Sequence, residues 1–498
     1  MKSGVGGMRN CRYRTHMACV LLLGAMILIC AGCGAGAPVV FEPPEAADFS
    51  DLGWVEAFDS MHEKIAEEYA FTEWRRIDWE GKKAEFRPLV EEAEARGDRR
   101  GYYLALRGYL FSIPDGHVAL LTGKSFNDDG LGILQEEVGG GFGMTVALLD
   151  DGRLIADWVV AGGAADSAGI EAGSEIIGWD GKPVLQALRE TSTIWAVLPP
   201  ATDAGRDYER TRFMVRAPAG EGRDIVFRNP GGEPVAVWLT AVDDRMETLR
   251  RTDAFGTGFS GIPSEKAIEG RQLEDGFGYI RIYGLVDKPG QEPTREQFAA
   301  MIEEFKAAGV NGLVIDLRAN TGGADEVAAG LLGFFYDGKT FYEYQNWYNS
   351  VTGEMEIVLG DEETGEIIRD TGLYIDPASV RFTGSVVALI NSGCISSGEG
   401  VAMGIKNLEN GEVVGFRGTH GSFGMVLGPL IEMPGGYRVM YPAGQSLDRE
   451  RRIQLESDGR EGGVTPTVKV PMTFENALRS ASGVDVELEY ALEKLKRE

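Results

Sequence analysis

The stretch of this sequence best suited to covalent chemistry is a run of small residues, 391–399 (NSGCISSGE), which follows the apolar segment 385–390 (SVVALI). The apolar segment predicts a buried strand, and the residues from Ser397 onward predict a helix. The first N–H groups of a helix have no partner within the helix, and the helix dipole favours negative charge there. Ser396 would therefore present its hydroxyl beside donors that can stabilise an oxyanion.

The same serine also fits a purely structural role. Ser396 and Glu399 have the S-x-x-E spacing of a capping box, in which the serine caps the helix and the glutamate bonds back to the serine N–H. On the local pattern alone a capping serine is more common than a catalytic one. Both interpretations stay open at this point.

A serine nucleophile needs a base, usually histidine or lysine. Beyond residue 33 the chain has three histidines, His62, His117 and His420. His62 falls on the polar side of a predicted helix, so we expect it to be exposed to solvent. His117 follows a predicted turn at 114–116 (PDG), and His420 lies in 415–422 (GFRGTHGS), where it could face the same pocket.

Several segments together resemble the carboxyl-terminal processing (tail-specific) family of serine proteases. Residues 278–283 (GYIRIY) and 312–323 (GLVIDLRANTGG) resemble the family's GYIRI … GLILDLRxNxGG block. Asn391 and Glu399 match the family's nucleophile segment, and Ser396 falls on its catalytic serine. The resemblance thus favours catalysis over capping at this position.

The resemblance also implies an oxyanion hole. It would be formed by the amide of Gly322 or Gly323 together with the amide of Ser397. Glycines at this turn let the backbone approach a substrate closely because they have no Cβ atom.

The base implied by the resemblance is a histidine. The tail-specific branch has a lysine where this chain has Ser422, so the Ser–Lys dyad is absent. Residues 110–118 (LFSIPDGHV) instead resemble the L-x-D-G-H-T turn of the branch that contains the tricorn core protease, in which a histidine from the N-terminal helical region is the base. His117 is therefore the predicted base, and His420 is the alternative.

An acidic residue should orient that base. Residues 459–466 (GREGGVTP) resemble the family's EGxGVxPD segment, which makes Glu461 the predicted partner and Glu456 the alternative. Either could instead be an ordinary exposed carboxylate of a very acidic protein.

Residues 137–185 resemble a PDZ domain. The long segment 161–184 matches the PAxxAGIxxGDxIxxxxGxPV signature. The resemblance implies a carboxylate-binding loop at Gly141, Phe142, Gly143 and Met144. Backbone amides of such a loop bind a terminal carboxylate while an open strand edge adds the peptide as a further strand.

The elements needed to hold these residues can be predicted from periodicity. Apolar stripes and caps predict an N-terminal helical region (helices at 54–69, 79–96 and 101–111), followed by a polar link at 122–136. Five short strands then predict a small β domain, at 144–149, 154–160, 175–179, 224–227 and 235–239. After Gly270, strands alternate with helices, which predicts a largely parallel sheet. Residues 338–382 are predicted to be less regular, a lid or an insertion.

The expected fold class is multidomain α+β, with an N-terminal helical domain, a PDZ-like β domain and, from the resemblance, an α/β crotonase-like (β-β-α superhelix) catalytic domain. The division we expect is a lipoprotein signal peptide (1–32), a tether (33–50), the helical domain (51–125), the PDZ-like domain (135–245), the catalytic domain (246–480) and a C-terminal helix (481–498).

The first residues predict export. Three arginines precede the apolar run 17–29, which is short for a membrane span and typical of a signal peptide, and the run ends in a lipobox-like CAGC with Cys33 as the lipidated residue. Outside the segment predicted to be removed, the only cysteines are Cys33 and Cys394, so no disulfide framework is available. A bacterial cell-envelope location, facing the periplasm or the exterior, follows.

The whole pattern predicts a lipid-anchored serine endopeptidase that acts on protein or peptide substrates guided by the PDZ-like domain. A net charge of −28 argues against nucleic acid as a partner, and no motif calls for a metal or another cofactor. The alternative is a catalytically inactive family member that binds peptides or other ligands.

Overall fold

The computed structural model describes residues 40–122, 129–252, 265–360, 366–426, 428, 430–457 and 463–497. Cys33 and Glu461, together with the predicted signal peptide, lie outside these residues. The chain has a mixed α+β multidomain fold. No helix in the described ranges is both long and apolar enough to cross a membrane.

The N-terminal part contains three helices at the predicted positions. Its elements are β1 (Ala47–Asp48), α1 (Trp54–Glu68), α2 (Trp79–Arg96), α3 (Arg99–Phe111) and β2 (Ala119–Thr122). Gly97 ends α2 in the left-handed conformation, with φ of 62°. The prediction that His62 is exposed is wrong, because it is buried in the core of this part and its Nδ1 lies 2.9 Å from the hydroxyl of Tyr109.

The middle part is a β structure with helices between its strands. Its elements are α4 (Asp129–Val138), β3 (Gly140–Gly141), β4 (Met144–Leu148), β5 (Leu154–Val159), α5 (Ala164–Ser167), β6 (Glu175–Trp179), β7 (Lys182–Pro183), α6 (Val184–Glu190), α7 (Asp203–Met214), β8 (Arg216–Ala217), β9 (Gly222–Arg228), β10 (Val235–Thr240), β11 (Val242–Asp243) and α8 (Glu247–Arg251). The main sheet has the order β10-β9-β6-β5-β4, so β4 is an edge strand. Part of the predicted polar link is helical, since α4 begins at Asp129.

The C-terminal part holds the α/β structure. Its elements are β12 (Ile268–Gln272), β13 (Gly278–Ile282), α9 (Thr294–Ala307), β14 (Gly312–Asp316), α10 (Asp325–Leu332), β15 (Thr340–Asn349), β16 (Glu354–Gly360), β17 (Ile367–Arg369), β18 (Leu373–Ile375), β19 (Ser385–Leu389), α11 (Ser397–Lys406), β20 (Gly411–Gly415), β21 (Ile431–Met433), β22 (Tyr437–Met440), β23 (Gly444–Leu447), β24 (Val468–Lys469), α12 (Phe474–Ala481) and α13 (Val486–Leu495).

The main sheet of this part has the order β12-β13-β14-β19-β20-β24, and every pairing from β13 to β24 is parallel. Its strands are apolar on both faces because one face packs on α9, α10 and α11 and the other on α13. The region 338–382 is more regular than predicted: it forms a second, antiparallel sheet from β15, β16, β17 and β18.

The N-terminal helices are joined to the C-terminal part by a four-stranded sheet with the order β1-β21-β22-β2. Its two central strands come from the C-terminal part and its two outer strands flank the helices. The hydrophobic core of the helical part accordingly includes Ile431, Val439 and Tyr441. This sheet fixes the turn that carries His117 against the α/β structure, because β2 begins two residues after it.

Candidate active site

Three loops of the parallel sheet meet at one edge. They follow the carboxyl ends of β14, β19 and β20, which are neighbouring strands, with Asp316 opposite Leu389 and Leu389 opposite Val414. Ligands of parallel sheets bind outside the carboxyl ends of the strands. The loops 317–323, 390–396 and 416–422 therefore come together where a substrate can reach them.

Ser396 lies at the sharpest point of the second loop. Its backbone has φ of 58° and ψ of −137°, a conformation that residues with a Cβ rarely adopt and that costs on the order of 1–3 kcal/mol. The conformation is held by neighbouring chain: the Ser396 N–H donates to the Ser422 carbonyl at 3.0 Å, and the Ile395 N–H donates to the Asn320 carbonyl at 3.1 Å. The half-buried side chain caps no N–H of α11.

Glu399 does not form the capping box that its spacing allows. Its buried carboxylate accepts hydrogen bonds from the Thr419 hydroxyl at 2.5 Å, the Gly421 N–H at 2.8 Å and the Ser422 N–H at 2.9 Å. Burial raises the pKa of Glu399 to about 8, although these three donors oppose the shift. The capping interpretation is therefore wrong, and the side chain instead holds the loop after β20 against the nucleophile turn.

The Gly322–Gly323 turn packs directly on Ser396. A Cβ atom at Gly322 would lie 2.5 Å from the Ser396 Cβ, and one at Gly323 would lie 2.1 Å from the Leu285 carbonyl oxygen. Both residues have positive φ, 75° and 149°. Only glycine fits this turn at such close approach.

The amides predicted to form an oxyanion hole differ in their availability. The Gly322 N–H donates to the Asn320 side-chain oxygen at 2.9 Å, so Gly322 is not a free donor. The N–H groups of Gly323 and Ser397 have no hydrogen-bond partner in the described part of the chain. The Ser397 hydroxyl donates to the Gly323 carbonyl at 2.9 Å and so joins the two residues. Of the two glycines offered by the sequence, Gly323 is the one that fits.

His117 lies in the turn between α3 and β2, beside a fully buried carboxylate. The Asp115 carboxylate accepts hydrogen bonds from the backbone N–H of His117 at 2.9 Å and from the Tyr69 hydroxyl at 2.7 Å. The His117 Nδ1 is 3.6 Å from the Asp115 Oδ1, which is longer than a hydrogen bond, and this nitrogen is otherwise unpartnered. Asp115 is thus the carboxylate placed to orient and stabilise a protonated His117.

Arg75 connects this turn to the C-terminal part. Its buried guanidinium forms ion pairs with Asp115 and Glu456, and it donates to the carbonyls of Pro114 and Gly421. Burial by itself raises the pKa of Asp115, but Arg75 and then His117 together hold it well below its usual range. Asp115 is therefore ionised at neutral pH.

Glu456, the alternative orienting acid, also belongs to this cluster. Its carboxylate accepts the Phe423 N–H at 2.5 Å in addition to pairing with Arg75. Burial raises its pKa to about 7, and Arg75 opposes that shift. Glu456 is therefore a buried member of the network rather than an ordinary exposed carboxylate.

His420 lies in the loop after β20. Its Nδ1 is 3.1 Å from the Ser422 hydroxyl, and burial lowers its pKa to about 3. A base with so low a pKa accepts a proton poorly at neutral pH. The two histidines thus share a site but differ in environment, and that of His117 is better suited to a base.

A cleft of about 670 Å³ opens beside the nucleophile turn. Ser396, His117, His420 and Gly323 line it, together with an apolar wall that includes Trp347. No lysine or arginine among the described residues lines the cleft.

The predicted peptide-binding loop lies in the middle part, at the beginning of edge strand β4. Phe142 is buried, and its carbonyl accepts the Ala165 N–H. The Gly143 carbonyl accepts the Val160 N–H, whereas the Gly143 N–H makes no hydrogen bond to any described residue. Gly141 pairs with strands on both sides through β3, and Met144 begins β4. These four residues thus run from β3 into β4, and none of them lines the Ser396 cleft.

Sequence reasoning missed the residues that hold the site together. Asp115 falls within the predicted turn at 114–116, and Tyr69 lies at the end of the first predicted helix. Arg75 and Asn320 were not singled out, because their partners are distant in sequence. The Asp-Gly-His spacing was the one local signal that could have identified Asp115 as the partner of His117.

Comparison with known proteins agrees with this geometry. Residues 276–470 match the model of "Peptidase family S41". The match contains Ser396, the Gly322–Gly323 turn and Glu456. This part of the chain is therefore similar to the serine peptidases of family S41. The S41 match does not extend to His117, which the N-terminal part supplies.

Individual proteins also resemble this chain. The carboxy-terminal processing protease CtpB of Bacillus subtilis (strain 168) is 25% identical over 223 residues, which are 44% of this chain and 37% of that protein. The match thus spans little more than a third of that relative. Among solved structures, mature CPAF complexed with lactacystin has a TM-score of 0.58 at 16% identity, covering 89% of this chain and 98% of that one. Mature CPAF alone gives the same TM-score at 15% identity, covering 90% and 98%. The part that matches the S41 model therefore lies within a fold that this chain shares with these structures along most of its length.

Proposed function

We propose that this chain is a secreted, lipid-anchored endopeptidase in which Ser396 is the nucleophile and His117 the base. The observation that carries the proposal is the turn at Ser396. Its strained backbone presents a hydroxyl that caps nothing, beside two unpaired amides and in the same cleft as His117.

The reaction follows from this arrangement. The Ser396 Oγ attacks the scissile carbonyl carbon while His117 takes the hydroxyl proton. The N–H groups of Gly323 and Ser397 hold the oxyanion that forms. His117 then gives its proton to the departing amine, leaving an acyl ester on Ser396 that water hydrolyses. Asp115 stabilises the imidazolium throughout, and Glu456 supports it through Arg75.

Labelling with a fluorophosphonate tests the nucleophile directly. We expect covalent modification of Ser396, located by mass spectrometry, and its loss in Ser396→Ala. His117→Gln should slow labelling by about 10²–10⁴-fold, since it removes the base. Ser350→Ala, at an exposed turn outside the cleft, is the matched control. Absence of labelling in the folded wild-type protein would instead favour the inactive, ligand-binding alternative.

The middle part is proposed to bind a peptide carboxyl terminus as a PDZ domain does. Three features support this: β4 is an open edge strand, α7 packs beside it, and the Gly143 N–H at its start is unpaired. An extended peptide can add to such an edge while its carboxylate binds the loop amides.

Two glycines provide a matched test. Gly143 and Gly152 both have left-handed backbones, with φ of 78° and 85°, but a Cβ at Gly143 would lie 3.1 Å from the Ala164 nitrogen whereas Gly152 faces open space. In the Ser396→Ala background, Gly143→Ala should weaken binding of a peptide with a free carboxyl terminus by at least about ten-fold, and Gly152→Ala should not. Equal affinity for a carboxyl-terminal amide would contradict carboxylate recognition.

Lipidation of Cys33 is proposed from the sequence. Residues 40–50, predicted as tether, are docked: the Ser350 N–H donates to the Glu42 carbonyl and β1 pairs with β21. Seven residues, 33–39, would then separate the lipid from the body, a reach of at most about 25 Å. Cys33→Ser should move the protein from the membrane fraction to the soluble fraction, and unchanged fractionation would contradict the anchor.

A further inference from the structure

His420 is held on several sides in the cleft wall. Its backbone N–H donates to the Cys394 carbonyl at 2.8 Å, and its ring Nδ1 is 3.1 Å from the Ser422 Oγ. The imidazole packs against Gly116, where a Cβ atom would come within 2.5 Å of its Cε1. The ring therefore has one orientation.

The hydrogen bonds of Ser422 fix which ring nitrogen carries the proton. The Ser422 Oγ accepts the Gly116 N–H at 2.9 Å, and its other partner among the described residues is the His420 Nδ1. If Nδ1 carried the proton and donated it, the hydroxyl hydrogen of this fully buried serine would have no acceptor, and a buried donor without a partner is costly. The hydroxyl therefore donates to Nδ1, and the proton of the neutral ring is on Nε2.

Because His420 lines the cleft and its Nδ1 is turned towards Ser422, Nε2 is the ring nitrogen left to face the cleft. It makes no hydrogen bond with the described chain, and, unlike Nδ1 of His117, it is not among the buried atoms that lack a partner. Because burial lowers the pKa of His420 to about 3, the ring stays neutral at any pH at which the protein would work. The cleft thus contains a fixed, uncharged N–H donor in addition to the amides of Gly323 and Ser397.

We propose that His420 binds the peptide substrate as a neutral hydrogen-bond donor, with its Nε2–H directed at a backbone carbonyl oxygen near the scissile bond. A peptide presents one such acceptor at every residue, so this contact orients the main chain without selecting a side chain. The inference rests on the proposed function and adds a substrate-binding residue to it. It also assigns Ser422 as the positioning residue that sets the tautomer.

Two substitutions at one position separate a donor from a base. His420→Gln keeps an N–H donor, whereas His420→Phe keeps a flat ring without one. With fluorescein-labelled casein we expect His420→Phe to raise KM roughly ten-fold with a smaller change in kcat, as for loss of a binding hydrogen bond, and His420→Gln to recover most of it. Both variants should keep fluorophosphonate labelling of Ser396, which needs His117 but not the peptide contact. The proposal would be overturned if His420→Phe lost labelling as fully as His117→Gln does. It would also be overturned if the KM of His420→Phe equalled that of the wild type.

The tautomer is tested without activity. Imidazole ¹⁵N NMR of the Ser396→Ala protein should show His420 protonated at Nε2 and unprotonated at Nδ1 between pH 5 and 8, with Nε2 shifting on addition of casein. Ser422→Ala should abolish the single tautomer. A ring that titrates in this range, or carries its proton on Nδ1, refutes the assignment. If the wild-type protein proves inactive and unlabelled, the proposed peptidase function fails, but casein binding by Ser396→Ala combined with His420→Phe or with His420→Gln still decides the role of His420.

Discussion

Replacing Arg75 with methionine should destabilise the protein and slow its chemistry together. The guanidinium is only 2% exposed, and both carboxylates that it pairs with, those of Asp115 and Glu456, are fully buried. Removing one partner from a buried ion pair typically costs about 3–5 kcal/mol, because the remaining charge loses its compensation. Here two carboxylates lose their compensating charge, so the destabilisation by Arg75→Met should lie at the upper end of that range. The corresponding fall in Tm is on the order of 10 °C.

The pH dependence gives this prediction a sign. In the wild type Arg75 holds the pKa of Asp115 below its unfolded value, so the carboxylate contributes stability above about pH 4 that is lost as the pH falls through the lowered value. Without Arg75 the effect of burial prevails, and the pKa of Asp115 rises above the unfolded value. The variant carboxyl then takes up a proton as the pH falls from neutral. The stability difference between wild type and variant should therefore be largest near pH 8 and smaller at pH 5.

Urea unfolding at pH 5, 7 and 8 measures the effect, and Arg76→Met supplies the control, since that neighbouring arginine is exposed. Fluorophosphonate labelling of Ser396 in Arg75→Met should slow by at least about ten-fold, because the turn that carries His117 loses its anchor. The reasoning would be refuted if Arg75→Met unfolded at the same urea concentration as Arg76→Met. It would also be refuted if the stability difference between wild type and Arg75→Met did not change with pH.

Three further predictions follow from the site. Gly116→Ala places a Cβ atom 2.5 Å from both the His420 and the Ile395 side chain, so casein turnover should fall by at least about ten-fold. Unchanged turnover would show that these side chains can move aside without loss of activity. Burial lowers the pKa of His420 from about 6.5 in the unfolded chain to about 3, so between pH 7 and pH 5 this residue takes up a proton on unfolding and should lower the free energy of unfolding by about 2 kcal/mol. The free energy of unfolding of His420→Gln should therefore fall by about 2 kcal/mol less than that of the wild type over this pH range. An equal fall in the two proteins, measured by urea unfolding, would contradict the prediction. Asn320→Ala frees the Gly322 N–H and should cost about 1–3 kcal/mol in urea unfolding; no loss would mean that the turn is held without this bond.

Much of the fold could be predicted because its signals are local. The apolar stripe of α1, the glycine after α2 and the five short strands of the middle part each depend on spacing within a few residues. The parallel sheet was predicted for the same reason, since its strands are apolar on both faces. The sheet β1-β21-β22-β2 could not be predicted, because it joins short strands more than 300 residues apart in the chain.

The candidate site divides in the same way. Ser396, His117 and the glycine turn were identified from motifs whose spacing is short. The functions of Glu399 and Arg75 depend on which loops meet at the sheet edge, and neither residue carries a local signal for that. The capping box shows how a local rule can mislead. Glu399 has the right spacing, but its carboxyl oxygens accept three hydrogen bonds from the loop after β20, whereas the capping box would give it one, from the Ser396 N–H.

The distribution of charge around the two histidines decides which of them can act as a base. An imidazole that accepts a proton from Ser396 becomes a cation, so its surroundings must stabilise positive charge. His117 has the ionised carboxylate of Asp115 at 3.6 Å, with Arg75 on the far side to keep that carboxylate charged. His420 has the Ser422 hydroxyl, a neutral group, as its partner, and His117 itself opposes a second positive charge there. One cleft can therefore hold one histidine that moves a proton and another that keeps its own, and the difference between them comes from the turn that Arg75 joins to the C-terminal part.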